Sequence, residues 1–422
     1  MKQKKVKVAA IKGSQNEFVY YMLNVKISLL KDLFVLEHYR GIDDVEKDGM
    51  QRIRLESEIN KFAKQISTGF CPVPIWVNDR EKSLNINSVP ISRRHKEVLE
   101  ITLNPKTTRF YIPDGGLRTL GFIKALQEYD VENNLKDFDV PICMTRLSKS
   151  IERRGFIDTN TNAKKIKRNH TAAILYQLAV VDGENSLRNQ KEVNEAIAFG
   201  VTKRLNTFRK SPLFDMMRCP PLRKYYTPTE IKQDLDRKYL RAISEASFIS
   251  YLAEDVLKPE FHRRYFSDCE TILEKSEKLV GYLINYWQEL RIITKELWET
   301  PRLYAFFDAV GIRALIILFA FIMEQINTTY NKPTRKYFSQ ELSQIPLLRK
   351  RKYWRSVQAV KFHPDFKKKL SSKNWENHRD FKGDNLINVS GKKNGTVIGE
   401  KMIEQLRIAN EKTITRFKKA AK

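Results

Sequence analysis

Cysteine and histidine are scarce in this sequence, and neither residue type clusters. There is no CxxC pair among the cysteines, no HxH or HxxxH pair among the six histidines, no Walker-type GxxxxGK[ST] segment and no run of carboxylates. These absences argue against a disulfide framework, a zinc site held by protein ligands, a P-loop and a Mg²⁺-dependent nuclease centre. We therefore expect no protein-ligated metal. The four cysteines are Cys71, Cys143, Cys219 and Cys269.

Long hydrophobic runs are also missing. The longest, Ala314 to Met323, has ten residues, about half of the ~20 that a membrane-spanning helix needs, and so predicts a buried helix. The first residues, MKQKKVKVAA, carry charge where a secretory signal has an apolar segment. We expect a cytoplasmic protein without a membrane partner.

Acidic residues are outnumbered by basic ones. The 77 Lys and Arg against 50 Asp and Glu give a formal net charge of +27. Residues 331–422 hold 24 Lys and Arg and 8 Asp and Glu, a net charge of +16 and more than half of the excess. Such uneven positive charge is typical of proteins that neutralise nucleic-acid phosphates, so it favours double-stranded DNA as the partner. A soluble, lysine-rich protein without a polyanionic partner is the alternative interpretation.

The apolar pattern divides the chain into three predicted domains. Residues 1–205 alternate short strands with helical stretches, beginning with a strand pair from Val6 to Val25 that turns at Gly13 to Asn16, and this predicts an α+β domain. Residues 206–330 predict an α-helical domain whose aromatic residues form its core. Residues 331–422 form a basic region interleaved with aromatic residues. It ends in a helix from about Gly399 to Lys419, which we expect to dock on the body or on a partner.

Two basic clusters are the predicted nucleic-acid contacts, one after residue 163 and one in the carboxy-terminal region. Cations there can clamp phosphates, although a solvated basic face explains the same pattern. The residues concerned are Lys164, Lys165, Lys167, Arg168, Arg349, Lys350, Arg351, Lys352, Arg355, Lys367, Lys368 and Lys369.

One short segment, FYIPDGGLRTLG from Phe110 to Gly121, reads as a strand, a glycine turn and a helix start. Gly115 and Gly116 allow the backbone to approach a ligand closely, and the N–H groups at a helix start attract anions. Arg118 in the first helical turn adds a positive charge beside a bound phosphate. A plain connection is the alternative for the turn, and a surface salt bridge is the alternative for Arg118.

The sequence DGGLR, from Asp114 to Arg118, resembles the Asp-Gly-Gln-His-Arg motif of the DGQHR-domain family, a relative of the ParB/sulfiredoxin-like fold. A second segment, from Phe156 to Lys164, resembles the family's Phe-x-Asp-x-Asn-x-x-Ala segment. The resemblance covers residues 6 to 205 and implies that the amino-terminal domain has this fold. Two groups with this domain are the DndB proteins of DNA phosphorothioation and the DpdB proteins of 7-deazaguanine insertion into DNA.

The resemblance implies a nucleotide site. Its ligand would be ATP or another nucleotide, with Mg²⁺ as a candidate companion, and Asp114 and Arg118 would be catalytic in an ATPase. Leu117 stands where the family has His, and a leucine cannot transfer a proton, so the residues present favour phosphate binding over hydrolysis. A helix cap or Asx turn is the alternative role for the two residues of the second motif. The implied nucleotide-binding residues are Gly115, Gly116, Arg118, Thr119, Asp158 and Asn160.

Three functions remain open. The first is a DNA-binding accessory protein of a DNA-modification system, DpdB-like, which serves the modification enzyme of its own gene cluster and uses a nucleotide. The second is a DndB-like transcriptional regulator of a phosphorothioation cluster that does no catalysis. The third is an RNA-binding or nucleoid structural protein in which the glycine turn is a connection. A homo-oligomer is a candidate assembly for each.

Overall fold

A computed structural model describes residues 5–37, 49, 56–69, 71–82, 84, 97–133, 135–162, 168–218, 243–299, 305–326, 333–349 and 392–420. The chain divides into two compact units, residues 1–166 with 222–225 and residues 167–221 with 226–422. The domain boundaries at residues 205 and 330 stay predictions. Each unit is described by itself below.

Within the described residues, the first unit is built on a mixed sheet of seven strands in the order β3-β6-β4-β7-β2-β1-β5. Strand β4 runs parallel to β7 and β3 runs parallel to β6, whereas the other neighbours are antiparallel. Each parallel pair is joined by a long crossover and not by a tight turn. The strands are β1 (Val6–Gln15), β2 (Phe18–Lys26), β3 (Phe34–Val35), β4 (Ile75–Asn78), β5 (Val98–Leu103), β6 (Phe110–Asp114) and β7 (Asp139–Thr145).

The predicted amino-terminal strand pair is confirmed, but its turn lies further along the chain than expected. Asn16, with a positive φ of 53°, turns the chain between β1 and β2. Gly13 lies inside β1 opposite Tyr20, whose ring occupies the space that a side chain at residue 13 would need. The glycine therefore accommodates an aromatic neighbour and does not form the turn.

The helices of the first unit lie on both faces of the sheet. Ile75 and Val77 of β4 belong to the apolar core that includes residues of α2 and α3, where Phe62 of α2 packs edge-on against Phe122 of α3 with ring centroids 5.8 Å apart. Since side chains alternate along a strand, Trp76 points to the opposite face, where α4 lies. The helices are α1 (Leu30–Leu33), α2 (Glu56–Thr68), α3 (Gly116–Asn133) and α4 (Lys149–Asn162).

The second unit is predominantly helical, as the sequence predicted. Short strands β8 (Met217–Arg218) and β9 (Ile243–Ser244) pair in parallel, and Leu252–Val256 forms a π-helical turn. The helices are α5 (Arg168–Asp182), α6 (Gln190–Thr207), α7 (Glu245–Tyr251), α8 (Pro259–Tyr265), α9 (Ile272–Ile293), α10 (Lys295–Glu299), α11 (Ala309–Gln325), α12 (Arg335–Ser343), α13 (Pro346–Arg349) and α14 (Lys392–Ala420).

Two predictions about the second unit are confirmed. The ten-residue apolar run lies within α11, which is buried over most of its length beside Tyr286 and Phe338. Helix α14 docks on α11, because Gly399 lies against Ile317 and the apolar side of α14 is buried. The mixed α and β character of the chain thus agrees with the expectation, and the ParB/sulfiredoxin-like assignment stays a prediction. Within the described residues, no helix combines the length and apolar character that a bilayer crossing requires.

Candidate phosphate-binding site

The predicted strand, glycine turn and helix are confirmed at residues 110–133. Strand β6 ends at Asp114, Gly115 adopts φ +100°, and α3 begins at Gly116. A Cβ at residue 115 would lie 3.0 Å from Ile75 Cγ2 and 3.2 Å from Arg118 Nη2. Both the positive φ and the close neighbours therefore require glycine here. An 18-residue helix starts at this turn, where Gly115 and Gly116 are both buried, and the first N–H groups of the helix have no intrahelical acceptors.

Arg118 lies in the first turn of α3, and its side chain is largely covered. Its Nη2 donates to Asp114 Oδ2 at 2.9 Å, which makes an i,i+4 ion pair across the glycine turn. The neighbouring Nε is buried, and no acceptor among the described residues lies within hydrogen-bonding distance of it. A buried donor without an acceptor is costly, so this nitrogen is a natural position for an anionic ligand oxygen.

Thr119 stabilises the turn from inside. Its backbone N and its Oγ1 both donate to the carbonyl oxygen of Gly115, at 2.8 and 3.1 Å, and its side chain is fully buried. Leu117, which stands where the DGQHR motif has histidine, is half-buried on the same helical turn. The turn thus offers cationic and N–H groups, while Leu117 offers no group that could act as a general acid or base.

Helix α4 brings the second predicted motif to the same sheet face. Trp76 of β4 is the register partner of Asp114, and its indole lies against Gly155 of α4, with Cη2 2.7 Å from the position a Cβ would take. Asp158, half-buried, follows one helical turn after Gly155. Because α4 runs through residues 158 and 160, neither residue caps the start of a helix. The side chain of Asn160 lies outside the described residues.

A buried polar network holds α4 to the carboxyl ends of β4 and β7. The carboxylate of Glu152 is fully buried and accepts from Asn78 Nδ2 at 2.6 Å, from Arg80 Nε at 2.6 Å and from Arg80 Nη2 at 2.5 Å. The backbone N of Leu147, which follows β7, donates to Asn78 Oδ1 at 2.7 Å. Sequence reasoning missed this network. Its visible signal was the polar run Asn78, Asp79 and Arg80 directly after an apolar strand.

The outer part of the network is also paired. The Arg80 guanidinium lies 4.1 Å above the ring of Tyr111, and Tyr111 Oη donates to Glu81 Oε1 at 2.6 Å. The hydrogen bond to Glu81, followed by burial, raises the pKa of Tyr111 to about 12. Burial lowers the pKa of Lys149, although Glu37 lies 3.8 Å away. Since Arg80 is paired with both Glu152 and Glu37, we interpret the network as support for α4 and for the turn beside it.

Two of the predicted nucleic-acid contacts, Arg168 and Arg349, lie within the described residues. Arg168, in the second unit, makes ion pairs with Glu195 at 3.0 Å and Glu254 at 2.6 Å, so its charge is balanced by partners within that unit. Arg349 is exposed at the end of α13. The other predicted contacts lie outside the described residues, and these are Lys164, Lys165, Lys167, Lys350, Arg351, Lys352, Arg355, Lys367, Lys368 and Lys369.

In the part of the chain that the structure describes, no three or more His, Cys, Asp or Glu side chains come together as a metal site would require. The described cysteines Cys71, Cys143 and Cys269 are not in disulfides.

Comparison with known families gives a match for the amino-terminal half of the chain. Residues 8–208 match the family model DndB, whose description is DNA-sulfur modification-associated. The match includes both sequence motifs and extends into α5 and α6 of the second unit, and its bounds are close to the span of the resemblance, residues 6 to 205. No curated protein and no solved structure matches the chain. The DGQHR motif and the ParB/sulfiredoxin-like relationship stay predictions.

Proposed function

Taking as premise that residues 8–208 are a DndB-family region, we propose that this protein is a DNA-binding accessory protein of a DNA sulfur modification system. The family match is the observation that carries this proposal. It favours the sulfur setting over the 7-deazaguanine setting of the DpdB-like proteins, because the family description names sulfur modification. The protein would act with double-stranded DNA and with the modification enzyme of the same gene cluster.

The charge of the chain supports a DNA partner. A net charge of +27, with +16 in residues 331–422, repels itself unless a polyanion is near. DNA offers a dense row of phosphates, and neutralising them releases condensed counterions. Arg349 is exposed at the start of the carboxy-terminal basic cluster. We propose this cluster as one part of the DNA contact.

The glycine turn supports a phosphate or nucleotide ligand. The backbone N–H groups at the start of α3, together with Arg118, suit the oxygens of a phosphate. ATP is the candidate nucleotide. Mg²⁺ would reach the site with the nucleotide, since the described residues supply Asp114 and not a cluster of carboxylates. With Leu117 in place of histidine, we propose that ATP acts as a bound signal and that any turnover is slow.

A second candidate function follows from the same family match. A DndB-like transcriptional regulator would bind the control region of its own gene cluster and would need no catalytic residue. The ion pair between Asp114 and Arg118 favours this candidate, because it already gives Arg118 Nη2 an anionic partner without a nucleotide. The RNA-binding or nucleoid structural alternative has no support from the family match.

One set of binding titrations separates these functions. Labelled duplex DNA, duplex RNA and a duplex from the control region of the gene cluster are titrated with the full chain, with and without ATP, and ATP turnover is followed in the same samples. Tight duplex DNA binding that changes with ATP supports the accessory function. Selective binding of the control-region duplex, unchanged by ATP, supports the regulator. Equal binding of RNA and DNA, indifferent to ATP, would overturn both.

A further inference from the structure

The helical unit carries a basic groove that the sequence patterns did not indicate. It has a volume of about 430 Å³ and lies among the turn after α6, the end of α9, the start of α10 and the start of α12. None of the described residues that line it is acidic. The lining residues are Arg209, Lys210, Ser211, Pro212, Gln288, Arg291, Ile292, Lys295 and Arg335.

The turn after α6 presents two of these cations on a fixed backbone. Ser211 is buried, its N donates to the Phe208 carbonyl at 2.9 Å, and its Oγ accepts from Leu213 N at 3.1 Å. Leu213 is fully buried and anchors the turn. Arg209 and Lys210 are held exposed between these anchored positions. Their charges are therefore directed into solvent by local structure.

The opposite side of the groove is fixed in a similar way. Asn285 Nδ2 of α9 donates to the Pro333 carbonyl at 3.2 Å, which ties the start of α12 to α9. Arg335 Nε is 2.5 Å from Glu289 Oε1, a buried carboxylate of α9. The Arg335 side chain is still about half exposed. Glu289 thus positions Arg335 at the edge of the groove.

Helix dipoles explain only part of this charge. Helices α6 and α9 both end at the groove, and cations near helix carboxyl ends are stabilised by the dipole. Arg335, however, lies at the amino-terminal end of α12, where the dipole disfavours a cation. Glu289 offsets the charge of Arg335, but no described lining residue is acidic beside the other four cations, so a negatively charged partner would reduce their mutual repulsion.

We propose that this basic groove binds the phosphate backbone of duplex DNA, an assignment that rests on the proposed DNA-binding function. The groove is open and four of its cations are exposed, with Arg335 about half exposed, which suits a polyanion lying across a surface rather than a small ligand enclosed in a pocket. Ile292, which is 59% exposed within the groove, offers apolar contact to deoxyribose. No base contact is needed, so the groove would bind different sequences alike.

The test compares two double variants of equal charge in the full chain. Lys210→Ala with Lys295→Ala removes two groove cations, and Lys191→Ala with Lys258→Ala removes two exposed lysines elsewhere in the same unit. Duplex DNA affinity is measured by fluorescence anisotropy between about 50 and 200 mM salt. Inorganic phosphate and duplex RNA of the same sequence are titrated in parallel, and thermal melting confirms that both variants fold.

The proposal predicts that the groove variant lowers the slope of log affinity against log salt by about two and weakens DNA binding about tenfold, for specific and scrambled sequences alike. The control variant keeps the wild-type slope. If the wild-type chain binds DNA and both variants show the same dependence of affinity on salt, the groove assignment is overturned and the proposed function still stands. No wild-type DNA binding would overturn both. An effect confined to RNA or to inorganic phosphate would overturn the assignment to DNA.

Discussion

Arg80 and Glu152 form a bidentate pair inside the first unit, with Nε–Oε2 at 2.6 Å and Nη2–Oε1 at 2.5 Å, and the carboxylate is fully buried. Burial opposes the charge of Arg80, but the bonds to Glu152 and Glu37 outweigh it and keep the pKa of Arg80 above its ordinary value. We predict that Arg80→Ala lowers the free energy of opening of this unit by about 3–5 kcal/mol, since it leaves Glu152 charged and unpaired.

Hydrogen–deuterium exchange of strand β7 measures this loss within the first unit. Arg263→Ala is the control, because the pair of Arg263 with Glu260 is largely exposed and its removal costs less than about 1 kcal/mol. Equal exchange in the two variants would show that the buried pair does not hold β4 and β7 to α4.

A second prediction concerns Gly155, against which the ring of Trp76 lies. Gly155→Ala places a Cβ 2.7 Å from Trp76 Cη2, so the ring or α4 must move. Overpacking of this kind costs about 1–3 kcal/mol, more than the ~1 kcal/mol that alanine gains in a helix. Gly281→Ala in α9, where nothing lies within 4 Å of the new Cβ, should be stabilising. We expect the melting temperature to fall in Gly155→Ala and to rise in Gly281→Ala. A change in the same direction in both variants would contradict the contact between Trp76 and Gly155.

The third prediction separates backbone strain from ligand binding at the glycine turn. Gly115→Ala and Gly183→Ala both place alanine at a positive φ, +100° and +83°, which costs about 1–3 kcal/mol in each case. A Cβ at Gly183 meets nothing within 4 Å, whereas one at Gly115 meets Ile75 and Arg118. We expect both variants to melt at lower temperature and only Gly115→Ala to lose phosphate binding, measured by calorimetry. Retained binding in Gly115→Ala would refute the site.

The fourth prediction is a pH dependence of the helical unit. Burial, aided by the charge of Lys275, lowers the pKa of His262, which bonds Asn194 Oδ1 at 2.8 Å. As the pH falls through the ordinary histidine value of about 6.5, the unfolded chain takes up a proton that the folded chain resists. The free energy of unfolding should therefore fall below that pH, and His262→Gln should reduce the fall. Identical pH profiles for the two proteins would contradict the shift.

Local patterns in the sequence predicted the elements with strong periodicity or punctuation. Alternation identified the β1–β2 pair, and the glycines after Asp114 identified the turn before α3. The ten-residue apolar run identified a buried helix, now α11. In each case the pattern lies within one element, because periodicity and turn chemistry act over a few residues.

Contacts between distant segments could not be predicted in this way. Glu152 meets Asn78 and Arg80 across more than seventy positions of sequence, and the basic groove gathers Arg209, Arg291 and Arg335 from three separate segments. Each of these residues alone looks like an ordinary charged residue. Their grouping depends on which strands and helices are neighbours, and a single sequence gives no direct record of that.

We propose that the turn between Asp114 and Arg118 binds phosphate, and calorimetric titration of ATP without Mg²⁺ is the decisive measurement. Arg118→Ala should weaken binding about tenfold or more, through loss of a charge-assisted hydrogen bond. Asp114→Asn should strengthen binding, because it removes a competing negative charge and releases Arg118 Nη2. Lys61→Ala, an exposed position on α2, should leave binding unchanged. ATP binding that is equal in wild type and Arg118→Ala, or absent from wild type, would contradict the claim.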